Sequence, residues 1–362
     1  MKRDPASWLF QALAVASLSI AAFTTSQPQQ PSKGGGAGRP EPGSNPQPTG
    51  DGAGHDAASP SEIPARGWWA IVKRVAANVS EHRLLTEGAA ITFYALLALF
   101  PALAALVSLY GLFADPATIA DQMGGVSGVV PGGGMDIITD QLRALAADGS
   151  KKLGFGVALG LVTSLWSSNQ GTKALFDALN VVYGEKEKRG FLLRTAVTLA
   201  FTVGGIVFVL LALAAVVAVP VVLKTVGLGD VADLLLRLLR WPVMLIALAA
   251  LLACIYRFGP SREKAKWSWV SWGGGFAAVV WVLGSIAFSY YVSHFGSYNK
   301  TYGSLGAAVG FLTWIWLSAA VVLTGAEVNA EMEHQTARDT TTGPDQAPGV
   351  RGAAKADAVA PA

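Results

Sequence analysis

The sequence predicts an all-α, polytopic membrane protein: a bundle of six transmembrane helices, preceded by an amphipathic interfacial helix and flanked by disordered tails. Two observations predict it. Hydrophobic residues make up 52% of the 362 positions and charged residues only 14%, against about a quarter charged in soluble domains. The apolar residues also fall in continuous runs, about twice the length of the roughly ten-residue alternating segments of a membrane β-barrel. The run from Ser304 to Ala326 shows this best. It holds no charged residue, and as a helix it spans about 35 Å, enough to cross a bilayer. The net charge of +3 is too small to argue for a nucleic-acid partner. The single cysteine, Cys254, allows no intrachain disulfide.

In chain order, residues 1–65 read as a low-complexity tail with a short apolar segment at 8–23. Lys2 and Arg3 before Trp8–Phe23 imitate a signal peptide. A spanning segment, a surface-associated segment and a mis-assigned start fit it too. Residues 26–65 are rich in Pro, Gly, Ser and Gln and call for no structure. Residues 66–86 have helical spacing, with Trp68, Val72, Val75 and Val79 on one face and Lys73, Arg74 and Arg83 elsewhere. Such a basic amphipathic helix fits either the headgroup region or a packed position on other cytoplasmic parts.

Residues 66–334 form the membrane domain, with spans at about 88–113, 153–173, 191–222, 241–258, 267–295 and 304–326. Pro101 sits near the middle of the first span and predicts a bend. A connection at 114–150 follows, with helical spacing at Met135, Ile138, Leu142 and Leu145. Gly156 and Gly160 in the second span, and Gly306 and Gly310 in the sixth, allow close helix approach. Tryptophans at 267, 269 and 272 and aromatics at 290, 291 and 295 mark two interfaces on the fifth span. A polar turn at 296–303 leads to the sixth span, and residues 335–362 read as a disordered cytoplasmic tail.

Lys and Arg concentrate before the first span, at 186–194 and at 257–266. By the positive-inside rule both termini are then cytoplasmic. Polar residues near the spans supply the candidate site. Asn169, Lys173 and Asp177 recur every four residues, with Gln170 beside them, and Glu327 and Asn329 leave the sixth span at the matching depth. The expectation is that these six residues meet, with Lys173 as the cation nearest Glu327. The competing reading makes Glu327 and Asn329 a solvated helix end and the hydroxyls ordinary helix–helix contacts.

Three stretches carry a family resemblance. They are AITFYALLALFPALAALVSLYG from Ala90, LGLVTSLWSSNQGTKALFDALNVVYGEKEKRGFLLR from Leu159, and SYYVSHFGSYNKTYGSLGAAVGFLTWIWLSAAVVLTGAEVNA from Ser289. Over roughly residues 66–334 the chain resembles the YihY/BrkB family of bacterial inner-membrane proteins. That resemblance implies six transmembrane helices with cytoplasmic termini. The long N-terminal tail departs from the family pattern. Members often carry the label ribonuclease BN.

Metal-dependent RNA hydrolysis needs clustered His and carboxylate ligands. The four histidines, His55, His82, His294 and His334, are scattered and show no H-x-H or H-x-x-x-H spacing. No nucleophile-elbow or phosphate-loop motif is present. The expectation is therefore a non-enzymatic inner-membrane protein, without metal or cofactor, whose partners are membrane lipids and which leaves a homo-oligomer open. Its activity would be that of a transporter or permease for a lipid or amphiphile; the alternative is a non-transporting scaffold or envelope-integrity factor.

Overall fold

The computed structural model describes residues 52–110, 153–226, 229–294 and 304–361. The helices are α1 (Ala65–Glu81), α2 (Leu84–Tyr110), α3 (Leu153–Val182), α4 (Phe191–Val226), α5 (Gly229–Phe258), α6 (Trp267–His294), α7 (Ser304–Gln335) and the short α8 (Ala354–Asp357). A 3-10 turn at Pro60–Glu62 precedes α1. Among the described residues the one β pairing is an isolated bridge between Ala265 and Thr341. Phe191–Ala212, Trp241–Phe258, Trp267–Val292 and Ala308–Gln335 are long and apolar enough to cross a membrane, and Leu84–Ala98 is a shorter apolar stretch. The chain is an all-α polytopic membrane protein. The segments at 8–23, 135–145 and 296–303 lie outside the described residues.

Helix α7 is the hub. It packs against α1, α2, α3, α6 and α8, while α2 pairs with α3 and α5 with α6. Indole–hydroxyl bonds join α6 and α7 in both directions: Trp281 Nε1 donates to Ser318 at 2.9 Å, and Trp314 Nε1 to Ser285 at 3.2 Å. In an apolar solvent such bonds replace the hydrophobic drive for helix association. Gly273 and Gly325 bring α6 and α7 close together. A methyl group at Gly325 would sit 2.6 Å from both the Ala277 Cβ and the Tyr256 hydroxyl. The outer faces of α4, α5 and α6 expose Leu192, Val209, Leu210, Leu211, Ile246, Leu283 and Ile286. A continuous apolar face of this kind belongs in lipid.

The main core lies at one end of the bundle, around Phe176, Leu179, Tyr183, Tyr256, Val270, Leu323 and Ala330. The A-L-N-x-x-Y-G run forms its α3 wall. Ala178 and Leu179 are buried, and the Asn180 side chain accepts the Ser261 amide at 2.7 Å. Gly184 ends the helix at φ +67, where a side chain would be strained.

Three expectations need correction. Residues 336–361, read as disordered, fold as a cap. Lys266 N donates to Thr340 O and Thr342 N to Lys264 O, each at 2.8 Å, and the buried Arg351 guanidinium donates to the carbonyls of Ala337, Arg338, Gln346 and Ala356. Polar composition hid this, because backbone and guanidinium hydrogen bonds rather than apolar burial order the segment. Residues 52–64 also join the fold, with Ala57 and Ile63 in a second small core beside Ile71, Val75, Trp269 and Met332. Finally, α1 buries Gly67, Ile71 and Val75, not Val72, which points outward with Trp69. Gly67 sets that rotation, since a side chain there would collide with Ala53 and Ile63.

Candidate functional site

The last turns of α7 carry Glu327, Glu331 and Gln335 at i, i+4 and i+8, one helical face. Helix α1 and its cap present Arg74, Asn78 and His82 with the same spacing, and the two rows interlock. His82 Nδ1 lies 2.9 Å from Glu327 Oε2, and Asn78 Nδ2 donates to Glu327 at 2.7 Å and to Glu331 at 3.0 Å. Arg74 reaches Glu331 at 2.5 Å and Gln335 at 2.6 Å. From the cap, Lys355 donates to Glu331 at 2.6 Å. On the adjacent face, Asn329 accepts the Gly273 amide at 2.8 Å and donates to the Val270 carbonyl at 3.1 Å. Glu333 takes two bonds from Arg262, at 2.7 and 2.8 Å, and one from Thr340 at 3.1 Å. The Arg262 guanidinium lies 4.1 Å over the Tyr183 ring.

All three glutamates are buried. A buried carboxylate is tolerable only when paired and hydrogen-bonded, and each of these is. The Glu327 bond raises the pKa of His82 above its ordinary value, against the opposing effect of burial. Burial works against the Arg262 charge, but Glu333 outweighs it and holds the group firmly protonated. Glu187, in the connection after α3, is lowered to about 2 by its hydrogen bonds with Arg189. The network fastens α1 and the cap to the end of α7. Among the described residues no three His, Cys, Asp or Glu side chains converge as a metal's ligands.

The six sequence-predicted residues do not meet as one site. Glu327 and Asn329 belong to this fastener and are buried, so the solvated helix end is also ruled out. Lys173 does not pair with Glu327, because the Glu327 face is turned toward α1. Its ammonium sits 5.8 Å from the Trp166 and Phe191 rings instead. Asp177 pairs with Arg194, at 2.7 Å to both oxygens, rather than with Lys173. Asn169 is buried, and its Oδ1 has no hydrogen-bond partner among the described residues; Gln170 beside it is half-buried. Helix α2 runs through position 101, but the side chains at Pro101, Gly156 and Gly160 lie outside those described. Gly306 and Gly310 fall in the first turns of α7. Sequence reasoning missed Arg74, Asn78 and His82, although their four-residue spacing matches that of 327, 331 and 335. Arg262, Tyr183 and Lys355 gave no such signal.

A cleft of about 410 Å³ lies between α2 and α3. Its walls are Ile91, Ala95 and Ala98 on one side and Ser168, Gly171, Thr172 and Leu175 on the other. The Thr172 hydroxyl contacts that of Thr202 on α4 at 2.8 Å. The cleft is thus mostly apolar, with two hydroxyls in its α3 wall, a lining that accepts an apolar chain and few polar groups.

Helices with lipid-facing apolar sides, fastened at one end by a buried polar network, define a polytopic α-helical membrane protein. Residues 75–350 match the family model described as virulence factor BrkB, and the chain belongs to that family. It is 26% identical to the ribonuclease-like protein YfkH of Bacillus subtilis, over 72% of this chain and 94% of that one. It is also 26% identical to a UPF0761 membrane protein of Vibrio vulnificus, over 73% and 84%. A UPF0761 membrane protein of Bordetella petrii is 29% identical, over 77% and 62%. No solved structure matches.

Proposed function

We propose that this membrane protein is a permease for an amphiphile of the phospholipid type, and that the α2–α3 cleft is its binding path. The observation that supports this reading is the cleft itself, a shallow groove along the packed α2 and α3 with apolar walls and the hydroxyls of Ser168 and Thr172. We further place it in the bacterial inner membrane with six spans and both termini cytoplasmic, on the strength of its Lys and Arg distribution. Topology reporters fused at Glu187 and Glu263 should then report the cytoplasm.

The test of function is movement of a fluorescent phospholipid between leaflets of vesicles that hold the purified protein. Wild type should accelerate it. Ala98→Trp fills the cleft and should abolish the acceleration while the protein inserts and folds normally. Movement that needs no protein, or an Ala98→Trp variant as active as wild type, would defeat the proposal.

A non-transporting scaffold is the second reading, favoured by the closed network at the end of α7 and by the cap folded over it. It predicts no accelerated movement in the same vesicles. Neither reading uses RNA chemistry, and pure protein with added divalent metal should hydrolyse no RNA.

A further inference from the structure

We propose that Lys173 holds the phosphate of an anionic phospholipid whose chains lie along the outer faces of α3 and α4. Val162, Trp166 and Lys173 are separated by four and seven residues and so share one face of α3. Val162 and Trp166 on that face are exposed at 64% and 63%. Helix α4 runs antiparallel beside α3, with Thr202 against Thr172, and beyond that contact, at the level of Val162 and Trp166, it exposes Val207, Leu210 and Leu211. Apolar side chains this open on a membrane helix are covered by lipid. Seven residues of helix set Lys173 about 10 Å beyond Trp166 along the axis, which places a cation at the edge of the apolar face.

Among the described residues that cation has no carboxylate partner. The nearest acid on its own helix, Asp177, is taken by Arg194 through both oxygens at 2.7 Å. The Lys173 ammonium is bracketed only by the Trp166 and Phe191 rings, each at 5.8 Å. An ammonium between rings, with a lipid-facing wall beneath it, matches an anionic headgroup above its acyl chains. A soluble anion would leave that wall uncovered. The site lies on the lipid-facing side and does not depend on transport through the cleft.

The full chain, released from nanodiscs of equal phosphatidylcholine and phosphatidylglycerol, is examined by native mass spectrometry. Wild type should retain phosphatidylglycerol in preference. Lys173→Gln should lose about fivefold of that preference, while Lys173→Arg and the exposed-loop control Lys186→Gln should keep it. Helical circular dichroism of Lys173→Gln should match wild type. Unchanged retention in Lys173→Gln, equal retention of both lipids by wild type, or displacement of the bound lipid by excess glycerol phosphate would each overturn the assignment.

Discussion

Glu327→Gln removes the charge from the end of α7 while keeping the side chain's shape. Glu327 is fully buried and accepts from Asn78 at 2.7 Å and pairs with His82 at 2.9 Å. A glutamine oxygen can keep the Asn78 bond, so the loss falls on His82. A hydrogen bond to a charged group is worth about 1.5–3 kcal/mol. Stranding a buried charge costs about 3–5 kcal/mol, but His82 can shed its proton, which sets the expectation near the lower range, about 2 kcal/mol. Equilibrium unfolding in mixed micelles measures it. Crossed with His82→Gln, the same substitution should show a coupling of about 1–2 kcal/mol. Crossed with Lys173→Gln it should show none, because the two residues do not touch. A Glu327→Gln protein as stable as wild type, or one that couples to Lys173, would refute the placement of Glu327 against α1.

Other outcomes follow from the same geometry. The raised His82 pKa means that its pairing adds stability fully below its ordinary value of 6.5 and loses it as pH rises through the higher folded value. Glu327, Lys355 and Glu81 are the charges that act on it. Wild-type melting temperature should therefore fall across that window, and His82→Gln should flatten the profile. Arg83, exposed between α1 and α2, holds φ +52, so Arg83→Gly should stabilise by about 0.5–1 kcal/mol in the same unfolding assay. Truncation after Gln335 strips Lys355 from Glu331 and Thr340 from Glu333. It should cost about 3 kcal/mol or more, read as a lowered melting temperature.

The helices were legible because hydrocarbon length leaves a plain mark: runs such as Phe191–Ala212 admit few charges. The G-A-E-x-N exit was legible as a pattern but not in its roles. Gly325 permits contact with α6, Glu327 faces α1 and Asn329 faces α6, and sequence cannot show which helix each face meets. Depth alone pointed Glu327 toward Lys173, but two residues at one depth can lie on opposite sides of a bundle. The cap was invisible for another reason. Its order rests on Arg351 and on backbone bonds to residues 263–266, and composition reports apolar burial better than hydrogen bonding.

The cleft is tested most directly by a photoactivatable phospholipid, with the labelled peptides of wild-type protein identified by mass spectrometry. Label should fall in residues 91–98 and 168–175, the two walls of the cleft, and excess unlabelled phospholipid or Ala98→Trp should reduce it. Label confined to the outer faces of α4, α5 and α6, with none on the cleft walls, would contradict it.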